Sequence, residues 1–170
     1  MKQLSITHLL SEHRETEKFL RILEELFEAP LPWTAERVEA YERVRRFFDR
    51  EVLCHIRKED EALFPVLEEF LPRDVGPLAV LRGEHAEIST NYALMHHAGE
   101  ALRRGLQKPQ AAADFQLYGR KLALLIHDHI YKEDRVLYPM VARFLSEEQD
   151  RSILQHMEGI VPLDSRVATR

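Results

Sequence analysis

The sequence predicts an all-α protein: an antiparallel up-down-up-down four-helix bundle with a short C-terminal fifth helix. Three observations carry this. Leu, Glu, Arg and Ala dominate, while Gly and Pro are few and sit where helices would end. Four long stretches carry apolar residues at helical spacing and are joined by short turns. The chain also repeats itself: HIRKEDEALFP at 55–65 returns as HIYKEDRVLYP at 129–139, and nine of seventeen positions are identical across 55–71 and 129–145. A second matching piece precedes each copy, SEHRETE at 11–17 and GEHAEIS at 83–89.

The first helix is expected from Ser5 to Glu28, with Ile6, Leu9, Leu10, Leu20, Leu23 and Phe27 on one stripe. APLPWT at 29–34 reads as a turn with Thr34 as N-cap. The second helix, 35–62, has Tyr41, Val44, Phe48, Val52, His55, Glu59 and Leu63 along its buried face. Pro65 is expected to end or kink it, since proline removes an i→i−4 bond. Pro72 to Pro77 connects the halves. The third helix, 77–104, buries Leu78, Leu81, His85, Ile88, Tyr92, Met95 and Leu102, and Gly105 is a natural C′ residue. The fourth, 110–133, carries Phe115, Tyr118, Leu122, Leu125, His129 and Glu133, with Pro139 mirroring Pro65. Ser146 and Gln149 form a capping box for a helix over 147–158, and the final dozen residues read as a polar tail.

At 170 residues the chain reads as one domain, with 1–145 forming the bundle and 146–170 a short helix and tail of the same domain. The 24 basic and 29 acidic residues give a net charge of −5 with no basic stripe, which argues against nucleic acid. Cys54 is alone, so no internal disulfide forms and a reducing compartment fits. Its expected role is that of a small half-buried residue rather than a redox thiol. Charges break up the first twenty residues, and the longest apolar run is LALLI at 122–126, so neither a signal peptide nor a membrane span is expected. The expectation is a soluble, cytoplasmic protein compatible with a homodimer.

The duplicated residues point to metal. His13 and His85 lie early in the first and third helices, whereas His55 and His129 lie late in the second and fourth. An antiparallel bundle brings all four to one level at one end of its core. The i, i+4 spacing sets His55 above Glu59 and His129 above Glu133. Burying four imidazoles and two carboxylates without strong partners costs several kcal/mol per group, a cost that coordination removes. Imidazole with carboxylate and no thiolate suits iron, manganese or zinc rather than calcium or magnesium. Six donors exceed one tetrahedral zinc, while two metals sharing two carboxylates use them all. A ferritin-type site needs Glu-x-x-His, and no histidine here has a glutamate three residues before it.

In order and spacing, His13, His55-x-x-x-Glu59, His85 and His129-x-x-x-Glu133 resemble the hemerythrin-like, or HHE, domain over roughly 5–145. The resemblance implies an antiparallel four-helix bundle around a non-haem di-iron centre bridged by an oxo or hydroxo group. It assigns His13 and His55 to one iron, His85 and His129 to the other, and makes Glu59 and Glu133 the bridges. Oxygen-carrying members have a further histidine one turn after the third-helix ligand, where this chain has Ser89. Both irons would then keep open positions. The pattern is closer to bacterial members implicated in nitric-oxide, peroxide and iron–sulfur repair responses.

The implied function is a di-iron protein meeting oxygen, nitric oxide or peroxide in oxidative or nitrosative stress or in iron–sulfur repair. The alternative is a non-enzymatic oxygen or nitric-oxide sensor, or an iron store, and enzyme status is left open. Glu17, four residues after His13, is expected as a surface or supporting acid rather than a ligand. Glu51 is a candidate to orient His55. Tyr92, Tyr118 and Tyr131 are candidates to reach an open iron. His8, His96, His97, His127 and His156 are not expected to ligate; His127 points about 160° away from His129 on a helix.

Overall fold

The computed structural model describes residues 3–28, 31–106 and 109–162, and its regular structure is helical, with no strand among those residues. Helix α1 spans Leu4–Phe27. A second helical arm runs without interruption over 35–67. It comprises α2 (Ala35–Phe47), a π turn π1 (Phe48–Val52), α3 (Leu53–Lys58), a second π turn π2 (Glu59–Leu63) and α4 (Phe64–Leu67). Helix α5 spans Pro77–Arg103. A fourth arm joins α6 (Pro109–Lys132), π3 (Glu133–Leu137) and α7 (Tyr138–Val141). Helix α8 covers Glu147–Gly159. Helix α1 packs against α2, α6 and α8, and α5 packs along α6.

The two prolines do not end their helices. In each arm a π turn immediately precedes the proline turn: Phe64 N–H bonds back five residues to the Glu59 carbonyl, and Tyr138 N–H to that of Glu133. The wider turn takes up the ring that an α-helix would not accept, and the arms run on to Leu67 and Val141.

Most expected caps form. Gly105 adopts φ 76°, its N–H bonds to the Leu102 carbonyl, and Leu106 N–H reaches the Ala101 carbonyl, closing α5 with a Schellman motif. Ser146 and Gln149 make both bonds of the capping box. Thr34 holds the N-cap position of α2 in extended backbone, but its side chain makes no capping bond. Part of the 29–34 turn, residues 29 and 30, lies outside the described residues.

Two apolar clusters fill the interior. One gathers Leu20, Leu23, Phe27, Tyr41, Phe48, Met95 and Phe115 with Val52, Ile56, Ile88, Ile126 and Ile130. The other gathers Ile6, Leu9, Leu63, Phe64, Leu78, Tyr138 and Val141 with Ile153, Met157 and Ile160 of the C-terminal segment. Buried Ile160 corrects the expectation of a polar tail from 159, while residues 163–170 lie outside the described part. Helix α8 is held to the start of α1 by Asp150, whose carboxylate accepts the Leu4 N–H at 2.8 Å, the Ser5 N–H at 3.0 Å and the Ser5 hydroxyl. It thus satisfies first-turn donors that α1 cannot pair internally.

Candidate metal centre

Between the two apolar clusters lie six buried polar side chains. His13 comes from α1, His55 from α3, His85 from α5 and His129 from the end of α6. Glu59 and Glu133 are the first residues of π2 and π3, and both are fully buried. His13 Nε2 lies 3.0 Å from His55 Nε2, and His85 Nε2 lies 3.2 Å from His129 Nε2. The carboxylates link the two pairs. Glu59 Oε2 is 3.2 Å from His85 Nε2 and 3.6 Å from His55 Nε2. Glu133 Oε2 is 3.2 Å from His13 Nε2 and 3.3 Å from His129 Nε2.

Each imidazole is aimed by an acid behind it. The Nδ1–H of His13 donates to Asp134 at 2.7 Å, and that of His55 to Glu12 at 2.8 Å. Likewise His85 donates to Asp60 at 3.1 Å and His129 to Glu84 at 2.9 Å. Lys58 and Lys132 hold Glu12 and Glu84 in turn. With Nδ1 spent on a carboxylate, Nε2 is the atom each ring turns inward, the arrangement that fixes tautomer and aim in metal-binding histidines. None of these partners was singled out from the sequence, although Glu12/Glu84, Lys58/Lys132 and Asp60/Asp134 are identical across the two copies and so carry a signal for them. Glu51, a candidate to orient His55, is exposed, and Glu12 from the neighbouring helix accepts from His55 instead.

An aromatic ring covers each end. Tyr138 stacks on His13 with centroids 5.6 Å apart, and Phe64, its counterpart in the repeat, stacks on His85 at 5.6 Å. The Tyr138 hydroxyl donates to Glu59 Oε1 at 2.6 Å. On the other side a cavity of about 20 Å³ is lined by His13, His55, His129, Thr16, Val52 and four isoleucines, Ile56, Ile88, Ile126 and Ile130. Thr16 also lines a surface cleft of about 390 Å³ with Ser11, Glu12, Glu15, Phe47 and Glu51, so solvent reaches the outer wall of the interior site.

Residues 4–141 match the family model of the hemerythrin HHE cation binding domain. The chain belongs to this family. Among curated proteins none matches the chain.

The atoms of this hemerythrin-like centre fit a metal. Glu59 Oε2 and both oxygens of Glu133 are buried and accept no hydrogen bond. A buried carboxylate oxygen left without a hydrogen bond is costly, and a cation relieves it. Donor atoms of Glu59, His85, His129 and Glu133 lie within 4.8 Å of one another, as do those of His13, His55 and Glu133. Both groups could hold a metal ion, and Glu133 is common to them.

Without a cation, the six buried groups shift one another's charge. Burial opposes charge on His13 and His85, but Asp134 with Glu133, and Asp60 with Glu59, outweigh it and push each up to about 10. Burial lowers His55, and takes His129 down to about 4. Burial and the charge of Glu59 push Glu133 up to about 8, while Glu59 is held below the usual carboxylate range: the charges of His55 and His85 overcome its burial.

The remaining candidates fall outside this centre. Glu17 is partly exposed and belongs to neither donor group. Tyr92 donates to Asp49 at 2.5 Å, Tyr131 is exposed and Tyr118 packs against the apolar core, so the tyrosine that reaches the site is Tyr138. Ser89 is exposed with its hydroxyl on the His85 carbonyl, and Ile88 lines the cavity instead. Cys54 is buried, donates to the Ile160 carbonyl at 3.4 Å and has its thiol pushed up by burial, which suits packing rather than reactivity. His8, His96, His97, His127 and His156 belong to neither group.

Proposed function

We propose that the chain is a non-haem di-iron protein that meets oxygen, nitric oxide or peroxide, in an oxidative or nitrosative stress response or in iron–sulfur repair. The observation that carries the reading is the set of four inward Nε2 atoms with three carboxylate oxygens that accept no hydrogen bond, all buried together. In this reading His13 and His55 hold one ion, His85 and His129 the other, and Glu59 and Glu133 lie between them. Mixed nitrogen and oxygen donors favour iron, with manganese or zinc as competitors. Residues 1–145 are the metal-binding unit, an up-down-up-down bundle, and the Asp150 bonds to α1 support counting 146–170 with the same domain.

When bound, iron would supply redox chemistry and exchangeable positions for a small ligand. The chain's own residues set what reaches them. Asp134, Glu12, Asp60 and Glu84 hold the imidazoles in place, and the four isoleucines and Val52 keep the adjoining space apolar. A cavity of about 20 Å³ admits something the size of one water, and so suits a diatomic molecule rather than an organic substrate. No helix among the described residues is long and apolar enough to cross a membrane. The partner in this reading is that small molecule, neither lipid nor nucleic acid.

Anaerobic reconstitution with ferrous iron, followed by elemental analysis, tests the centre; two ions per chain are expected, and no more than one would sink the pair. Spectra after adding oxygen, peroxide or nitric oxide then separate the roles. Turnover marks an enzyme, and a lasting reversible adduct marks a sensor.

A further inference from the structure

The two halves of the centre are near copies, and the aromatic rings that cap them differ by one hydroxyl. Tyr138 and Phe64 occupy matching places in the repeat, each stacked on a histidine with centroids 5.6 Å apart. Tyr138 donates to Glu59 Oε1 at 2.6 Å and comes within 3.5 Å of His13 Nε2. Phe64 has no hydroxyl to offer, and both oxygens of Glu133 remain without a hydrogen bond. The donor groups show the same imbalance. Glu133 is common to both, whereas Glu59 joins only His85 and His129.

We propose that Tyr138 makes the two metal positions unequal, engaging through its hydroxyl the Glu59 oxygen that would otherwise serve the His13/His55 position, so that Glu133 alone spans both. Tyr138 acts here as a positioning residue through Glu59. The position formed by Glu59, His85, His129 and Glu133 has four protein donors with two carboxylates, and it fills first. The His13/His55 position has three donors and the phenol oxygen beside His13, and it fills second and more weakly. A hydroxyl bonded to a carboxylate oxygen competes for the lone pair a second cation needs, a competition that a phenyl ring in the same place does not set up.

The inference rests on the two-metal reading, and the test separates the two. Cobalt(II) alone is titrated anaerobically into the full-length metal-free protein, with heat and visible absorption followed together. Wild type is expected to bind two ions with dissociation constants differing by on the order of tenfold or more, the scale on which partners behind metal ligands act. In Tyr138→Phe the first ion should weaken, the second should tighten, and the constants should draw together. Phe64→Tyr sets a hydroxyl against Glu133 and should weaken the second ion further. A residue that merely supported the fold would shift both constants alike and leave their ratio unchanged, and that result overturns the proposal. Loss of the second ion in Tyr138→Phe also overturns it, because the phenol oxygen would then be a ligand. One ion in wild type but two in Tyr138→Phe would uphold the tyrosine's role and reject a natural pair; one ion in both rejects both ideas.

Discussion

His13 Nδ1 donates to Asp134 Oδ1 at 2.7 Å, joining a histidine near the start of α1 to the acid that follows Glu133 in π3. The bond fixes which nitrogen of His13 faces the carboxylates. Asp134→Ala should therefore weaken metal binding roughly 10- to 100-fold while every inward donor remains. Competition against a chelator of known affinity measures it. An unchanged constant would mean that packing alone aims the ring.

The histidines offer an internal control. His129→Ala removes a buried imidazole 3.2 Å from His85 Nε2 and should abolish tight binding of one ion. His127, two residues earlier, is exposed and lies 3.5 Å from Glu24 on the surface. Metal content of His127→Ala should match wild type; a loss equal to that of His129→Ala would contradict the site.

Metal removal should lower stability, because the unfolded chain offers no formed site. At a free metal concentration 100-fold above the dissociation constant, binding adds about 2.7 kcal/mol. Melting with and without a chelator tests this, and coincident curves would show that the buried carboxylates find other relief.

Two glycines let helices approach closely. A Cβ on Gly99 would stand 2.5 Å from the Tyr41 ring, and one on Gly119 would stand 2.3 Å from the Phe27 ring. Overpacking typically costs about 1–3 kcal/mol, more than the roughly 0.5–1 kcal/mol a helix gains from Gly→Ala. Gly99→Ala and Gly119→Ala should each lower the urea midpoint. A rise would show that the aromatic rings step aside freely.

Asp150→Ala leaves the Leu4 and Ser5 N–H groups and the Ser5 hydroxyl without their acceptor. A cost of about 1–3 kcal/mol follows, or roughly 3 °C of melting temperature per kcal/mol in a chain of this size. Metal stoichiometry should not change, since Asp150 touches none of the inward donors. A loss of metal would tie α8 to the centre itself.

The sequence by itself determined the helices, their apolar faces and the six residues that meet, because periodicity and duplication are properties of residue order. His13, His55, His85 and His129 fall on buried stripes at a 3.6-residue period, and those stripes stayed buried. The acids behind the histidines were also written in the repeat, but their partners were not. Glu12 belongs to His55 and Asp134 to His13 only because the packed helices bring them together. Tyr138 shows the limit most clearly. On an unbroken α-helix it would stand about 140° round from Glu133, off the site face. The π turn at Glu133–Leu137 adds a residue to that turn and swings Tyr138 back towards His13 and Glu59. A period read along the chain assumes one helical pitch, and only the tertiary structure shows where the pitch changes.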